Sequence, residues 1–359
     1  MAIDTGSLPM PRTQAADIFK YLNDFPTASM ILLASNENPR GMPESARRAA
    51  AEALGAAGNY PDANGTALKQ ALAAALKVPA DWLVLGSGSS ELLTLAAQTV
   101  VEPGQAVVWS QYGFLVYGQA AALVRGKPVV VPARAHGHDL PAMLRAIDAG
   151  TRLVFVANPN NPTGSFIEAP ALLDFLERVP PAVTVLLDEA YTEYLTPAQR
   201  YDSMEWVGRF PNLIVARTFS KAYGLAGLRV GYGVAQAALA ARLNARRPRF
   251  NVTTPALAAA RAALADDEFV QQTRELNRTG RGELAAGLEA LGLQCLPSAG
   301  NFVMVEVAGA AALHAALLQA GIAVATLDNY GLPQWLRITV GLPEHNRLLL
   351  ATIAAHTRH

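Results

Sequence analysis

Short apolar runs separated by amphipathic stretches constrain the fold of this chain more than any other feature. Seven such runs are Trp82–Leu85, Ala106–Trp109, Pro128–Val131, Leu153–Val156, Val183–Leu187, Leu213–Ala216 and Arg229–Tyr232. They are rich in β-branched residues and show little strict alternation, which is typical of strands buried on both faces of a sheet. Helical patterns lie between several of them, at Glu91–Val101, Pro141–Ala149 and Ala169–Arg178. The order predicts an α/β fold with a mainly parallel, seven-stranded sheet between helices.

The pattern changes after about residue 245. Long stretches rich in Ala, Leu, Arg and Glu surround two further strand-like runs, Phe302–Val307 and Leu336–Val340. We therefore predict a large α/β domain over residues 40–245. Residues 1–39 and 246–359 would form a smaller α+β domain, since a chain of 359 residues exceeds one minimal core.

Charge and composition exclude several classes of partner. The formal net charge is zero, which predicts no binding of nucleic acid or of an anionic membrane surface. No apolar run reaches the length of a membrane span. The single cysteine, Cys295, forms no internal disulfide, and no basic-then-apolar segment opens the sequence. These features predict a cytoplasmic protein.

Lys221 is the first candidate for chemistry. It is one of five lysines, and Thr218 and Ser220 precede it directly after an apolar strand, with Arg229 downstream. Active sites of open α/β sheets gather at such strand ends. A desolvated lysine becomes neutral and can form a Schiff base, while hydroxyls and an arginine suit a phosphate ester. The alternative is a surface lysine in a Ser/Gly loop.

Asp188 follows another apolar strand, and Tyr191 lies three residues further on. A carboxylate at the end of a buried strand is costly unless it is paired. A pyridinium nitrogen would be a suitable partner, and Tyr191 could donate to a phenolic oxygen on the same ring. A structural aspartate that caps the next helix is the alternative.

Two Gly- or Pro-containing segments also follow strands. Asn158–Gly164 contains two Asn-Pro steps, so Asn161 either donates to a ligand oxygen or belongs to an ordinary turn. Gly86–Glu91 carries Ser89 and Ser90 at a helix start, where free amides make an anion site. Glu91 replaces the third glycine of a dinucleotide fingerprint, so a plain phosphate ester is the better ligand.

Three further residues are candidates with ordinary alternatives. Tyr112, at a strand end, would stack on a flat ring, and Tyr60 lies in a turn-like loop; both are also typical of plain packing. Arg337 is a charge inside a strand-like run and needs an anion, either a substrate group or a structural carboxylate. The histidines at 136, 138, 356 and 359 have no metal-ligand spacing, so no metal is predicted.

Together and in this order, these motifs resemble the fold-type-I aminotransferases that use pyridoxal phosphate, and within them the histidinol-phosphate aminotransferase branch. The matching strings are SNENP (35–39), NYPD (59–62), GSGSSELL (86–93), NPNNPTG (158–164), DEAY (188–191), RTFSKAYGLAGLRVGY (217–232), NF (301–302) and LRITVG (336–341). They extend over about 300 of the 359 residues, and the string at 217–232 is highly specific.

The resemblance implies a role for each matching position. Lys221 would bind pyridoxal 5'-phosphate covalently, and Asp188 would pair with its ring nitrogen. The remaining cofactor contacts would come from Ser89, Ser90, Tyr112, Asn161, Tyr191, Thr218 and Arg229. Tyr60 would reach the phosphate of the other subunit in a homodimer. Arg337 and Asn38 would bind the substrate, which is an amino donor or a 2-oxo acid such as 2-oxoglutarate.

One departure from the branch leaves the donor open. Ala325 stands where the branch carries an arginine that helps to bind the substrate phosphate. Loss of one charged hydrogen bond weakens binding about ten- to a hundredfold. Arg247 and Arg249 could compensate. Histidinol phosphate and a free aromatic amino acid therefore both stay candidates.

Other reactions stay open as alternatives. A lyase or decarboxylase would hold the same cofactor in the same site, and substrate orientation would select the bond that breaks. A nicotinamide dehydrogenase built on Gly86–Glu91 would leave Lys221 and Asp188 without a role. A regulator that binds the cofactor without catalysis would need a DNA-binding module, and the sequence has no basic region to suggest one.

Overall fold

The computed structural model describes residues 30–357. The strands are β1 (Ile31–Leu33), β2 (Leu83–Gly86), β3 (Ala106–Ser110), β4 (Lys127–Val131), β5 (Thr151–Ala157), β6 (Thr184–Asp188), β7 (Leu213–Thr218), β8 (Gly231–Val234), β9 (Gln294–Leu296), β10 (Phe302–Glu306), β11 (Ile322–Thr326) and β12 (Trp335–Thr339). The α-helices are α1 (Glu44–Ala53), α2 (Thr66–Leu76), α3 (Ser89–Val100), α4 (Val116–Leu123), α5 (Leu140–Arg145), α6 (Ala169–Arg178), α7 (Ser203–Arg209), α8 (Ala237–Arg246), α9 (Thr254–Leu264), α10 (Asp267–Ala290), α11 (Ala310–Gln319) and α12 (Pro343–Thr357).

The larger sheet has seven strands in the order β2-β8-β7-β6-β5-β3-β4. The pairs from β4 to β7 are parallel, and β8 runs antiparallel between β2 and β7. Helices cover both faces of this sheet. The strand residues are therefore buried on both sides, where they form two separate apolar clusters. The predicted α/β class and its mainly parallel sheet are confirmed.

The carboxyl ends of the parallel strands meet at one edge of this sheet. Ala157, Asp188 and Ala216 lie side by side in register at the ends of β5, β6 and β7. Loops that leave this edge carry most of the candidate residues, as expected for an open α/β sheet.

A second sheet has five strands in the order β1-β11-β12-β10-β9. Its apolar face packs against α10, α11 and α12 around a separate core that includes Leu284, Leu313 and Leu349. The first described strand, β1, pairs in parallel with β11 and brings the following residues, 34–38, to the edge of the larger sheet.

The predicted domain boundary at residue 245 stays a prediction. Helix α9 lies beyond it, yet its alanines at 256, 259, 260 and 263 are buried in the core of the larger sheet, against α1 and α2. The part of the predicted small domain from residue 1 to 29 lies outside the described residues.

Between residues 30 and 357, no helix combines the length and apolar character needed to cross a bilayer. Over the same residues, no group of three His, Cys, Asp or Glu side chains is arranged to hold a metal ion.

Candidate active site

A cavity of about 260 Å³ opens at the carboxyl edge of the larger sheet. Its lining brings together nine of the twelve predicted site residues. They are Ser89, Ser90, Asn161, Asp188, Tyr191, Thr218, Lys221, Arg229 and Arg337.

Lys221 lies in the loop that connects β7 to β8. Its Nζ donates to the backbone oxygen of Ser35, 2.8 Å away. Burial, together with the nearby cations Arg337 and Arg229, lowers the pKa of Lys221 to about 7 against the opposing effect of nearby carboxylates. A substantial fraction of this amine is therefore neutral near pH 7, as a nucleophile or proton acceptor requires.

Asp188 ends β6 and is almost fully buried, with 5% of its surface exposed. Its Oδ2 accepts a hydrogen bond from the hydroxyl of Tyr117 at 2.9 Å, and Oδ1 accepts a weaker one from the amide of Ala190 at 3.3 Å. Burial raises the pKa of Asp188 to about 6, although the Tyr117 hydroxyl acts in the opposite direction. This carboxylate lacks a salt-bridge partner among the described residues, so a cation in the cavity would stabilise it.

Hydroxyls and a guanidinium surround another part of the cavity. Ser89 and Ser90 begin α3, and Thr218 ends β7. Arg229 donates from Nη1 to Ser220 Oγ at 3.2 Å. A helix N-terminus, hydroxyls and an arginine together suit a phosphate group.

Glycine is required where Arg229 crosses the loop before α3. Gly88 has φ +80°, and a Cβ at this position would lie 2.3 Å from Nη2 of Arg229. The glycine of the GSGSS string thus allows the guanidinium to approach the backbone closely.

Arg337 lies on β12 and reaches the cavity from the smaller sheet. Its Nη1 donates to the side-chain oxygen of Asn161, and Nη2 donates to the backbone oxygen of Ala34 at 2.6 Å. Its Nε is buried without a hydrogen-bond partner. Both partners are neutral, so Arg337 keeps its charge available for an anion in the cavity.

Residues 34–38 cross the cavity and contact three of its functional side chains. Besides the two backbone-carbonyl contacts to Lys221 and Arg337, the side-chain amide of Asn36 donates from Nδ2 to the hydroxyl of Tyr191 at 2.9 Å. Asn301 holds this segment in place through the backbone oxygen of Asn36, 3.0 Å away.

Three predicted site residues lie elsewhere. Asn38 is buried and donates to the oxygens of Ala222 and Thr273, at 2.9 and 3.2 Å, so the structure does not bring it into the cavity. The ring of Tyr112 stacks on His136, with centroids 5.8 Å apart, and lies outside the cavity lining. Tyr60 is 81% exposed on the surface. Their roles toward cofactor and substrate stay predictions.

The arginines that could compensate for Ala325 do not enter the cavity. Arg247 donates to the oxygens of Ala63 and Asn251, and Arg249 is exposed. His136 packs between Tyr112 and Trp335, and the half-buried His138 accepts a hydrogen bond at Nε2 from the backbone amide of Ala157, 3.4 Å away. His359 lies outside the described residues.

Two contributors to the site were missed from sequence. Tyr117 is 71 positions from Asp188 and looks like an ordinary core aromatic, so no sequence signal distinguishes it. Asn36 belongs to the SNENP string, and its left-handed φ of +54° is a conformation that asparagine tolerates. That string was therefore the available signal, although Asn38 was chosen from it.

The fold and this site define a class of enzyme, and comparison with known proteins identifies the same class. Residues 28–353 match the family model described as aminotransferase class I and II. The chain belongs to this family.

Within this family, the chain is similar to several histidinol-phosphate aminotransferases. Histidinol-phosphate aminotransferase 1 of Cupriavidus pinatubonensis is 53% identical over 91% of this chain and 88% of its own length. Histidinol-phosphate aminotransferase 2 of Ralstonia nicotianae is 54% identical, with the same coverage. The crystal structure of histidinol-phosphate aminotransferase from Sinorhizobium meliloti, in complex with pyridoxal-5'-phosphate, has a TM-score of 0.87 and 29% identity, over 100% of this chain and 99% of that one.

These matches confirm the predicted fold type, an aminotransferase of the histidinol-phosphate aminotransferase-like branch, and pyridoxal phosphate as its cofactor. The chemistry of the cavity fits that cofactor. It offers an amine with a low pKa, a buried carboxylate without a cation, and a cradle of hydroxyls with Arg229.

Proposed function

We propose that this chain transfers the amino group of histidinol phosphate to a 2-oxo acid such as 2-oxoglutarate, with Lys221 as the catalytic residue. One observation carries the proposal: a single cavity contains Lys221 with a lowered pKa, the buried carboxylate of Asp188 and the free charge of Arg337. The names of the relatives at 53% and 54% identity support the choice of donor.

The cofactor, when bound, supplies an aldehyde carbon that reacts with amines and a pyridinium ring that accepts electrons. Lys221 would hold it covalently. Asp188 would keep the ring nitrogen protonated, and Asn161 and Tyr191 would hold its phenolic oxygen. Its phosphate would lie among Ser89, Ser90, Thr218 and Arg229.

Lys221 would also move the proton of the reaction. Once released by the donor amine, Nζ would be a free amine inside the cavity. Its pKa of about 7 allows it to accept the α-proton of the donor and to return a proton during the second half of the cycle. The adjacent oxygen of Ser35, 2.8 Å from Nζ, would orient the ammonium that forms.

Arg337 would bind the anionic group of the substrate. An anion would take the place of the neutral oxygens of Ala34 or Asn161, because a charged partner binds a guanidinium more strongly than a carbonyl does.

A free aromatic amino acid is the second candidate donor, and the environment of Ala325 favours it. In the paired strands β11 and β12, Ala325 lies directly opposite Arg337. An arginine at position 325 would add a second cation beside Arg337, as a phosphate dianion prefers. A single arginine with a small neighbour suits a carboxylate.

A donor screen would decide between them. The purified enzyme, loaded with pyridoxal phosphate, would be assayed with 2-oxoglutarate and either histidinol phosphate, histidine, phenylalanine or tyrosine. We expect the highest kcat/KM with histidinol phosphate. A higher kcat/KM with phenylalanine or tyrosine would instead identify a free aromatic amino acid as the donor. Release of carbon dioxide would favour a decarboxylase.

The low pKa of Lys221 makes cofactor capture pH-dependent. Only the neutral amine attacks an aldehyde, and for a base with a pKa of about 7 the neutral fraction rises through that pH. We expect the rate of covalent attachment to cofactor-free enzyme to be half-maximal near pH 7 and to level off above it. An ordinary lysine would still gain up to its usual pKa of about 10.4. Stopped-flow absorbance checks this, with Lys221→Ala as the background; a continued rise to pH 10 would contradict it.

Removal of the Arg337 charge should weaken substrate binding. We expect Arg337→Gln to lower kcat/KM for the donor by about ten- to a hundredfold, mainly through KM, because one charged hydrogen bond is lost. Steady-state kinetics measure the change. Arg278→Gln, which removes an exposed arginine paired with Glu275, is the control and should change little. An unchanged KM in Arg337→Gln would exclude the assigned role.

A homodimer belongs to the same proposal. Tyr60 is exposed and does not line the cavity of its own subunit, which suits a residue that completes the partner's site. A cytoplasmic location stays a prediction.

A further inference from the structure

Glu91 closes the loop that precedes α3. Its Oε2 accepts a hydrogen bond from the backbone amide of Ser87 at 2.7 Å, and the side-chain amide of Asn251 donates to the same oxygen. Asn251 also donates to the backbone oxygen of Leu85 at 3.3 Å. The residue that breaks the dinucleotide fingerprint thus fixes the loop that carries Ser89 and Ser90.

Arg247 continues this chain of hydrogen bonds toward a second loop. Its Nη1 donates to the side-chain oxygen of Asn251 at 2.5 Å, and its Nη2 donates to the backbone oxygen of Ala63 at 2.6 Å. Ala63 follows Tyr60 by three residues. The guanidinium is partly buried, so these hydrogen bonds are less weakened by water than exposed ones.

Phe250 contacts the second loop directly. Its ring stacks on Tyr60, with centroids 4.6 Å apart and planes 21° from parallel. Phe250 has φ +60°, an uncommon conformation for an aromatic residue, and such strain persists only where the surroundings impose it. The strained backbone lets Phe250 face Tyr60 while its neighbour Asn251 faces Glu91.

We propose that residues 247–251 couple the loop before α3 to the Tyr60 loop, with Glu91, Asn251 and Arg247 as positioning residues. The inference rests on the proposed homodimer, in which Tyr60 completes the partner's site. A subunit that holds its own cofactor phosphate firmly would then also present Tyr60 firmly to its partner.

Exchange of the carboxylate and the amide tests this coupling. Asn251→Asp places two carboxylates against each other but leaves Arg247 a stronger partner. The link to Glu91 and the weaker hydrogen bond to the backbone oxygen of Leu85 are lost, while the link to Arg247 remains. We expect about tenfold weaker binding of pyridoxal phosphate and faster hydrogen exchange at residues 59–65 of the cofactor-free protein. Glu91→Gln combined with Asn251→Asp restores one amide–carboxylate pair, so both quantities should return to within about threefold of the wild type.

The control is Glu275→Gln, which neutralises an exposed glutamate on α10 and should change neither quantity. Unchanged exchange at residues 59–65 in Asn251→Asp, or failure of the double variant to recover, would overturn the coupling. Sedimentation of the wild type distinguishes failure of the coupling from failure of the proposed homodimer. A monomeric wild type would have no partner's site for Tyr60 to complete. A dimeric wild type, with unaltered exchange in Asn251→Asp, would refute the coupling alone.

Mixed dimers test whether the effect crosses between subunits. A dimer of one Lys221→Ala subunit and one Asn251→Asp subunit has a single reducible lysine, and that site receives Tyr60 from a subunit with an intact 247–251 segment. Borohydride trapping against cofactor concentration measures its affinity. We expect it to bind at least about threefold more tightly than the Asn251→Asp homodimer. Equal affinities would overturn transmission through Tyr60.

Discussion

Lys221→Ala is expected to lower turnover by about 10⁴-fold or more and to abolish covalent attachment of the cofactor. The variant loses both the amine that holds the cofactor and the group that moves the α-proton, and general acid–base catalysis alone contributes about 10²–10⁴-fold. Single-turnover kinetics and borohydride reduction followed by peptide mass spectrometry measure the two losses.

Two comparisons make this result specific. Lys127→Ala removes an exposed lysine at the start of β4 and should leave both quantities unchanged. Lys69 is the other lysine that could bind the cofactor covalently, because burial lowers its pKa to about 8. It lies outside the cavity lining, so we expect no attachment there. Trapping of the cofactor on Lys69, or wild-type turnover in Lys221→Ala, would refute the assignment.

Asp188→Asn is expected to lower kcat by about 10²–10³-fold, as does loss of one strong electrostatic partner at a reacting group. An amide cannot keep the ring nitrogen protonated, so the electron-accepting form of the cofactor is lost. Rates with donor alone, followed through the cofactor absorbance, isolate this half-reaction.

The same substitution should not destabilise the cofactor-free protein. The folded-state pKa of Asp188 is raised from 3.8 to about 6, so at pH 8 the fold carries the cost of a buried carboxylate that a neutral amide avoids. We expect the midpoint of thermal unfolding to stay the same or rise. Asp174→Asn, at an exposed aspartate on α6, is the control; a large fall in the Asp188→Asn midpoint would show instead that the carboxylate supports the fold.

The larger sheet is well predicted because its strands are buried on both faces. Each of the seven apolar runs overlaps one strand by at least half of its length, with ends that differ by at most two residues. The smaller sheet was predicted only in part. Its strands β1 and β9 have three residues each, and β11 is an alanine-containing strand next to an alanine-rich helix, so its composition does not separate it from that helix.

The composition of the stretch rich in Ala, Leu, Arg and Glu after residue 245 does not show where its helices begin and end. Asp266 accepts a hydrogen bond from the amide of Phe269 and starts α10 just after α9 ends at Leu264. An aspartate in a charged helical pattern looks like a surface residue until its cap geometry is known.

Site residues that follow strands were brought together because strand ends converge at one edge of the sheet. This rule predicts the meeting of Asp188, Thr218 and Lys221 without further information. It carries no information about side-chain direction or about contacts between distant helices. Asn38 and Tyr112 therefore fall outside the cavity lining, and the hydrogen bond from Tyr117 to Asp188 was not expected.

The antiparallel pairing of β7 with β8 has a consequence for how the enzyme can work. Phe219 and Val230 are joined by a backbone hydrogen bond of 3.0 Å, and Gly224 lies so close to Gly41 that a Cβ there would be 2.0 Å from its oxygen. The loop between the two strands is thus pinned at both its base and its tip. We therefore expect the nitrogen of Lys221 to change position by rotation about its own side-chain bonds, while the backbone that carries it stays in place.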